Sequence, residues 1–531
     1  GSELSVATDE LILYDSEGND DGLANPGEMI QINIPVANTG NVNLSNLSGN
    51  LSTQSGSVEI ISGTSVINQL NVGSSSELVF IISVSTSSVD GESLELISII
   101  NDDNGNSWSN LVPVLVAGSY IQIQSYDISG GQMLEPGMSV DFDILISNQG
   151  ALSTGEFTAE LDEIGPWNYF DIDDDQANYT SLSTGQSGYS VDGFHLTTSD
   201  DIVNGSMLFL SVHITNSTGY DRTELLKVQV GEVSVTDPLG PDPRGYYIYD
   251  SDDLGYSLAM PYSWVEIDPD LGGDGVSLGL NDSGYGNPTN QQPAHVDLPF
   301  TFTFYGVDYD EITVSSNGWI ALGYSEMASF RNYELPGAGG PSPMIAAFWD
   351  DLKTSGGGQA YKYIDGNNEQ VIIEWSGMKT YEQSSNETFQ VILINSITPT
   401  GDDEILIQYK EFNNTSSGGG TTHGGYCSVG IENHLGNIGL QYTFNNQYPT
   451  AAMQLHDETA LFITTRQPSS LLKGDVNMDG ELNILDIIMV VNDVINLNTL
   501  GALEQYIADM NDDSIVNVLD VILIINEILA Q

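Results

Sequence analysis

The C-terminal stretch from Gly474 to Gln531 contains one acidic loop pattern twice, and this duplication constrains the fold more than any other feature. Oxygen-bearing side chains recur at positions 1, 3, 5, 9 and 12 of a twelve-residue loop, position 7 offers its backbone carbonyl, and the second loop follows at an offset of 34 residues (509 − 475). Such a loop can present the six to eight oxygens that Ca²⁺ prefers. The sequence therefore predicts two calcium sites. Their candidate ligands are Asp475, Asn477, Asp479, Glu481, Asn483 and Asp486 in loop one, and Asp509, Asn511, Asp513, Ile515, Asn517 and Asp520 in loop two.

Each loop leads into a run with apolar residues at i, i+1, i+3, i+4 and i+7, which predicts a helix with a broad buried face. The 34-residue offset continues into these runs, as in the pairs Ile488/Ile522 and Val491/Ile525. Position 6 of loop two is Ser514, where a sharp turn favours glycine. We therefore expect the second site to be weaker or strained.

Two loop-helix units about 34 residues apart resemble a dockerin of type I, the calcium-folded module that binds a cohesin domain on a partner protein. The aspartate at position 12 of both loops agrees with this resemblance, which covers residues 472–531. The resemblance implies recognition residues at loop positions 10 and 11 and, from the pseudo-twofold symmetry of the repeats, two docking orientations. Those positions hold apolar side chains, namely Ile484, Leu485, Val518 and Leu519.

The charge balance excludes several classes of partner. The chain has 74 acidic and 10 basic residues, for a formal net charge of −64. Nucleic acid is excluded, because binding it requires cationic surface to displace counterions. No apolar run approaches the ~18 residues of a membrane span, so we expect no direct membrane insertion. The chain starts at Gly1-Ser2 without a signal peptide, so a secreted protein of this sequence would be a processed or cloned form.

Residues 3–117 and 118–235 have the pattern of two immunoglobulin-like β-sandwiches, with short Val/Ile-rich strands separated by Gly, Asn and Ser. In both segments a Pro-Gly pair precedes a long strand and an Asn-x-Gly turn follows it, at Asn38 and at Asn148. This shared pattern predicts tandem copies of one sandwich type. The proline-rich residues 236–243 are predicted to be a linker.

Two acidic clusters lie within these segments. The first combines alternating oxygen side chains with a glycine-rich turn, which predicts a third calcium site, although the spacing has an extra residue and a solvated turn is the alternative. Its candidate ligands are Asp15, Glu17, Asn19, Asp21 and Glu28. The second cluster, Asp171–Asp175, lacks turn glycines and is predicted to be a solvated loop.

Residues 244–466 form a larger β-rich block that includes the phrases Asn317-Gly-Trp319, Phe348-Trp-Asp350-Asp351 and Val371-Ile-Ile-Glu-Trp375. The order of these phrases resembles a nidogen-like β-sandwich of bacterial surface proteins. From Gly245 onward it also resembles the non-catalytic region behind gingipain-like cysteine peptidases. Trp319, Trp349 and Trp375 are predicted to be core residues. For Asp350-Asp351 and for Asp268–Gly275, a calcium site and an exposed turn remain alternatives.

No catalytic constellation stands out in the sequence. The six histidines form no H-E-x-x-H pair, and there is no G-x-S-x-G, phosphate-binding loop or dinucleotide fingerprint. His423 lies four residues before Cys427, the only cysteine, but that cysteine leads into a strand where a buried thiol is common. Paired carboxylates are too frequent to exclude a glycosidase by counting. We expect that the chain is not an enzyme.

The predicted fold is mainly β, with two immunoglobulin-like sandwiches, a larger nidogen-like β-sandwich and a small α-helical dockerin with two EF-like calcium loops. The predicted function is that of a secreted, non-catalytic protein, extracellular or attached to a cell surface, that docks to a cohesin-bearing partner. Three alternatives remain open: the processed C-terminal part of a gingipain-like peptidase, a surface or filament subunit that contacts neighbouring copies, and a sandwich that binds surface glycans.

Overall fold

The computed structural model describes residues 1–16, 18–284, 292–381, 384–415, 425–469, 471–495, 497–511 and 513–530. The protein is mainly β. In the described residues, six sheets are built from antiparallel strand pairs, and the α-helices lie in the C-terminal part of the chain. Three successive stretches of chain each supply two sheets. We call them the first, second and third sandwich, while their outer boundaries stay a prediction.

The first sandwich packs a sheet of order β1-β3-β7-β5, with β2 on β3, against a sheet of order β6-β4-β8-β9. Alternate residues point inward, so that Ile32 and Phe80 of one sheet share a core with Leu47 and Ile100 of the other. Its strands are β1 (Leu4–Val6), β2 (Ile12–Tyr14), β3 (Met29–Asn38), β4 (Leu44–Thr53), β5 (Val58–Ser62), β6 (Thr64–Leu70), β7 (Ser75–Val84), β8 (Leu96–Asn101) and β9 (Ser107–Val112).

The second sandwich repeats the two sheet orders of the first, although its additional strand differs, because β15 lies between β14 and β16 in the chain whereas β2 precedes β3. Its sheets have the orders β10-β11-β16-β13, with β15 on β11, and β14-β12-β17-β18. Each position in these orders corresponds to the same position in the first sandwich, which supports the predicted tandem duplication. Its strands are β10 (Ile121–Ile128), β11 (Ser139–Asn148), β12 (Phe157–Ile164), β13 (Phe170–Asp174), β14 (Gln176–Tyr179), β15 (Ser187–Gly188), β16 (Phe194–Thr198), β17 (Ser206–Asn216) and β18 (Asp221–Val230).

The Asn-x-Gly turns explain why both copies retain this sequence pattern. Asn38 is buried, its Nδ2 donates to the carbonyls of Val42 and Leu70, and its Oδ1 accepts from Gly40 N. Asn148 makes the equivalent three bonds, to Leu152 O, Leu182 O and Gly150 N. One buried amide thus joins three backbone segments, and it satisfies polar groups that would otherwise be costly to bury.

The prediction of a loop at Asp171–Asp175 is wrong for most of its length. Residues 170–174 form β13, an edge strand whose acidic side chains are largely exposed. Carboxylates are depleted in strands, but an edge strand can keep them in water, and there they also discourage pairing with another chain.

The third sandwich packs a sheet of order β19-β32-β29-β28-β27-β26-β20, with β25 on β27, against a sheet of order β21-β22-β23-β24-β30-β31. Trp319, Trp349 and Trp375 are buried, as predicted. Its strands are β19 (Tyr247–Asp250), β20 (Val276–Ser277), β21 (Ala294–Phe304), β22 (Val307–Val314), β23 (Trp319–Leu322), β24 (Met344–Trp349), β25 (Leu352–Lys353), β26 (Gln359–Asp365), β27 (Gln370–Thr380), β28 (Asn386–Ile394), β29 (Glu404–Glu411), β30 (Ser428–Glu432), β31 (Gly439–Thr443) and β32 (Thr459–Thr464).

A strap formed by residues 263–267 crosses the outer face of the larger sheet. Gln408 bonds both the N–H and the carbonyl of Ser263, and Gln390, with its amide oriented to satisfy both sides, does the same at Val265. Gln408, Gln390 and Glu374 form a row of side chains under the strap. Glu374, the third of them, accepts from Ile267 N at 3.2 Å. Burial, together with the charges of Glu266 and Asp268, raises the pKa of Glu374 to about 8.

The small C-terminal module contains helices α1 (Ile484–Val494), α2 (Ala502–Ala508) and α3 (Val518–Ala530). Val490, Ile507 and Ile524, one from each helix, are fully buried in its core. The helices after the two loops are confirmed, whereas α2 was not predicted. None of the helices in the described residues is long and apolar enough to cross a bilayer.

Replacing Glu374 with glutamine should stabilise the protein at alkaline pH. The folded-state pKa of about 8 lies above the ordinary value of 4.5, so the stability of the native chain falls as pH rises between these values. Glu374→Gln removes that loss and completes the row of amides. The expected gain at pH 9 is on the order of 3 kcal/mol, with little gain at pH 4. Urea unfolding at the two pH values measures this, and the exposed Glu334→Gln serves as control. Equal gains at both pH values would contradict the assignment.

Candidate functional site

Backbone amides organise the first C-terminal loop around two aspartates. The Asp475 carboxylate accepts from Asp479 N at 3.1 Å and from Gly480 N at 2.7 Å. Asp486 is fully buried and accepts from Asn477 N at 3.1 Å and from Asn483 N at 2.9 Å. Asn483 is the N-cap of α1 and forms a capping box with Asp486. The aspartates at positions 1 and 12 thus hold the backbone amides of loop positions 3, 5, 6 and 9.

The second loop repeats this network at the same offset. Asp509 accepts from Asp513 N and Ser514 N, at 3.2 and 2.7 Å, and Asn517 Oδ1 accepts from Leu519 N at 2.8 Å. Asp520 is fully buried and accepts from Asn517 N at 2.8 Å. Its second bond differs, because the donor is Met510 N where the repeat would place Asn511 N. The intermediate positions also match: Asn477 and Asn511 each accept from the amide two residues later, as do Asp479 and Asp513.

The donor chemistry of both loops fits Ca²⁺. Each loop brings three aspartates, two asparagines and a backbone carbonyl at position 7, an oxygen-only set suited to a hard cation. The carbonyls of Glu481 and Ile515 are already oriented, since each accepts from an asparagine Nδ2, at 3.1 and 2.9 Å. Within the described residues, no three His, Cys, Asp or Glu side chains meet in a metal-binding cluster. The loops therefore have an ordered backbone, while their carboxylates hydrogen-bond to amides.

Ser514 adopts the strained backbone expected of it. Its φ is +62°, in the left-handed region that favours glycine, and Gly480 at the equivalent position has φ +83°. A side chain in this region costs roughly 1–2 kcal/mol.

The N-terminal acidic loop is a variant of the same arrangement. Asp15 is buried and accepts from Asp21 N and Gly22 N, while Asn19 accepts from Asp21 N and Asp21 from Leu23 N. Burial opposes ionisation of Asp15, but these amide bonds outweigh it and place its pKa below the ordinary value. Asn19 follows Asp15 by four positions, whereas Asn477 follows Asp475 by two, so this loop is longer than the C-terminal ones.

Glu28 closes the N-terminal loop from the start of β3. Its Oε1 accepts from Asn19 N at 3.2 Å, and its Oε2 is buried without a hydrogen-bond partner in the described residues. Burial and the carboxylates of Asp15 and Asp21 raise the pKa of Glu28. Glu17, the remaining predicted ligand, lies outside the described residues.

Asp268 has a structural role, because it caps the short 3₁₀ helix Pro269–Leu271 and also accepts from Ser376 Oγ at 2.7 Å. Asp350 and Asp351 are buried, which rules out the exposed turn as the alternative to a calcium site at those two residues.

The predicted recognition residues lie on a matched pair of exposed apolar faces. Ile484, Leu485 and Ile488 on α1 expose 68, 54 and 49% of their surface, and their repeat equivalents Val518, Leu519 and Ile522 on α3 expose 59, 56 and 48%. Ile488 and Ile522 were not among the predicted recognition residues. Their signal was the spacing of four from Ile484 and Val518, which places them on the same helical face.

Cys427 has the environment of an inert core thiol. It is fully buried, and burial, together with the charges of Asp350 and Glu387, raises the pKa of its thiol well above the usual range. A thiol held in the protonated form is a poor nucleophile. His423 lies outside the described residues.

A family model described as NIDO related matches residues 281–470. This range covers most of the third sandwich but less than half of the chain, and it ends before the C-terminal loops. The match supports the nidogen-like character predicted for this block. No curated protein matches the chain.

Two solved structures that resemble parts of the chain are distant in sequence. A protein of unknown function from Porphyromonas gingivalis W83 has 14% identity, and the match covers 43% of this chain and 99% of that one, with a TM-score of 0.17. Red sea bream transglutaminase has 8% identity over 44% of this chain and 31% of that one, with a TM-score of 0.22. At these TM-scores neither likeness carries an argument.

Exchanging the residues at position 6 tests the strain in loop two. Ser514→Gly should relieve a cost of about 1 kcal/mol, and if loop two takes the Ca²⁺ that its oxygens suit, its affinity for that ion should rise about fivefold. Gly480→Ser is the matched reverse change and should weaken loop one by a similar factor. Calcium titration calorimetry on the full chain measures both. Weaker calcium binding by Ser514→Gly would contradict the assignment of strain.

Proposed function

We propose that this chain is a secreted, non-catalytic protein, extracellular or attached to a cell surface, that docks to a cohesin-bearing partner through its calcium-dependent C-terminal module. The three sandwiches carry that module as spacers or adhesive surface. The observation that carries this proposal is the pair of equivalent apolar faces on α1 and α3, exposed to nearly the same extent.

The two faces leave apolar surface in contact with water, and this surface supports docking. Six aliphatic side chains at repeat-related positions are about half exposed or more, in a module with a small core. Contiguous exposed apolar surface on a folded protein marks an interaction site more often than chance. Because the two faces are related by the repeat, a partner that fits one also fits the other after a half-turn of the module.

The acidic loops that precede α1 and α3 support the calcium dependence. Asp475, Asp479 and Asp486 would hold the ion in loop one together with Asn477, Asn483 and the Glu481 carbonyl, and the equivalent residues would do so in loop two. Bound calcium supplies positive charge that offsets the repulsion among these carboxylates. The loop at Asp15 would hold a third ion in the same way, with Glu28 as its closing ligand. The chain itself caps the helices, orients the position-7 carbonyls and holds the apolar faces in place.

The proposed lack of catalysis is supported by the environment of the one cysteine, Cys427, in the third sandwich. The single cysteine has a raised pKa and lies in the core, so it does not supply a nucleophile of the peptidase kind.

Charge placed on one or both faces tests the docking role. Ile484→Asp with Ile488→Asp disables the α1 face, and Val518→Asp with Ile522→Asp disables the α3 face. Because the faces are equivalent, each double variant should retain binding to an immobilised panel of cohesin domains in calcium, within about threefold of the native chain. The quadruple variant should lose binding by about 100-fold or more, since it leaves no intact face.

Circular dichroism in calcium verifies that the variants keep their helices. Binding by the quadruple variant at native strength would overturn the docking surface, and native binding in the presence of chelator would overturn its calcium dependence. If no cohesin binds while the chain self-associates through these faces, the subunit alternative replaces the proposal.

A further inference from the structure

The C-terminal module is attached to the third sandwich by more than the chain that connects them. Just before the module, Ser469 O accepts from Ser257 N at 3.0 Å, and Leu471 N donates to Gly255 O at 2.8 Å. The segment that enters the module thus hydrogen-bonds along the turn that follows β19. A free linker would make no such pair of backbone bonds.

Tyr506 of α2 packs onto the same turn. A Cβ atom placed on Gly255 would lie 3.1 Å from Tyr506 Oη, so the tyrosine occupies the space that a side chain at position 255 would need. Gly255 has no positive φ, so the backbone conformation does not require glycine there, and the close contact with Tyr506 is what disfavours a bulky side chain at position 255.

The turn is itself fastened to the body of the protein. Tyr256 is buried among Tyr249, Ile392 and Phe462 on the outer face of the larger sheet, and its hydroxyl donates to Asp237 at 2.7 Å. Tyr506 therefore rests on a packed surface where residues 236–243 also meet the third sandwich.

One lysine links this contact to loop two. Lys473 Nζ lies 3.9 Å from the centre of the Tyr506 ring and donates to the carbonyls of Tyr506 and Asp509, at 2.7 and 2.9 Å. Asp509 is position 1 of loop two. Lys473 is the only basic residue after Arg466, so no other side chain of the module can replace it as a cationic donor here.

We propose that Tyr506, Ser469 and Leu471 form a fixed joint with the turn Gly255–Ser257, which makes α2 the body-facing side of the module and holds the α1 and α3 faces at one orientation. The joint stands on these contacts alone. Its use, to present the two apolar faces to a partner, rests on the proposed function. The exposure of the side chains agrees with this arrangement. Helix α2 contacts the third sandwich, while the apolar faces of α1 and α3 remain exposed to solvent.

Hydrogen–deuterium exchange of the full chain in calcium tests the joint. In the native chain, the amides of Ser257 and Leu471 should exchange slowly, because each donates across the joint. Tyr506→Ala and Gly255→Leu break the contact from opposite sides, the first by removal and the second by a wedge. Both should speed exchange of peptides that contain Ser257 or Leu471 by at least about tenfold. Gly255→Leu should leave peptides from α1 and α3 with native protection, whereas Tyr506 also packs against the core of the module, so Tyr506→Ala tests the Ser257 and Leu471 peptides alone.

Tyr324→Ala, at an exposed tyrosine of the third sandwich, serves as the control and should leave every one of these peptides unchanged. Native exchange in both joint variants, or unprotected amides at Ser257 and Leu471 in the native chain, would overturn the joint. Loss of protection in α1 and α3 in Gly255→Leu would also overturn it, because the contact would then support the fold of the module and not its attachment.

The joint and the docking role fail in different ways. If the joint is right and the docking role is wrong, the exchange results stand and no cohesin binds. If the docking role is right and the joint is wrong, Gly255→Leu binds cohesin at native strength and exchanges as the native chain does.

Discussion

Buried carboxylates in the turns of this protein accept hydrogen bonds from backbone N–H groups. Ion pairs cannot serve most of these carboxylates, because the chain has ten basic residues for 74 acidic ones. Asp242 shows the arrangement at its fullest. It is buried, its Oδ1 accepts from the amides of Arg244, Gly245 and Tyr246, and its Oδ2 accepts from the Tyr305 hydroxyl. Burial nevertheless raises its pKa to about 6. Charge-assisted bonds of this kind are strong, and they fix the backbone that supplies the donors.

The three acidic loops use the same arrangement, in which a carboxylate accepts hydrogen bonds from backbone amides. In each, an aspartate at the start of the loop accepts from two amides in its middle, so the carboxylate shapes the turn as well as offering oxygens. This explains why acidic loops give ordered turns in a chain with so large a net charge. It also explains why amide donors, more than ion pairs, decide where buried carboxylates lie: Arg244–Asp402 and Arg466–Glu404 are the exceptions, each with a buried acid and a partly exposed arginine.

The parts of the fold that the sequence predicted are those with a repeated local pattern. The Asn-x-Gly turns predicted two sandwiches of one type, and the 34-residue offset predicted two loops that are each followed by a helix. The strand at 170–174 was missed because its acidic residues oppose strand formation, and pairing with β16 overrides that preference. Helix α2 was missed because it has seven residues and no partner in the repeat.

The candidate site was predicted in the same uneven way. Positions 10 and 11 of each loop, predicted to bind a partner, are exposed, and their role stays a prediction. Ile488 and Ile522 share the same exposed faces but were not singled out, because in the sequence their spacing predicted a buried face. Helices α1 and α3 are apolar on more than one side. Periodicity alone therefore could not separate the buried side, which contains Val490 in α1 and Ile524 in α3, from the side in contact with water. The contact of Tyr506 with Gly255 is long-range, and no local pattern encodes it.

In the proposed function, calcium held by the two acidic loops folds the helices that carry the exposed apolar faces. Ellipticity at 222 nm of residues 467–531, followed while calcium is added back after chelation, tests this calcium dependence, because these residues contain α1, α2 and α3. We expect little helix in chelator, a rise to native helicity as calcium is added, and no rise in a variant with Asp486→Asn and Asp520→Asn. Full helicity in chelator, unchanged by calcium, would contradict it.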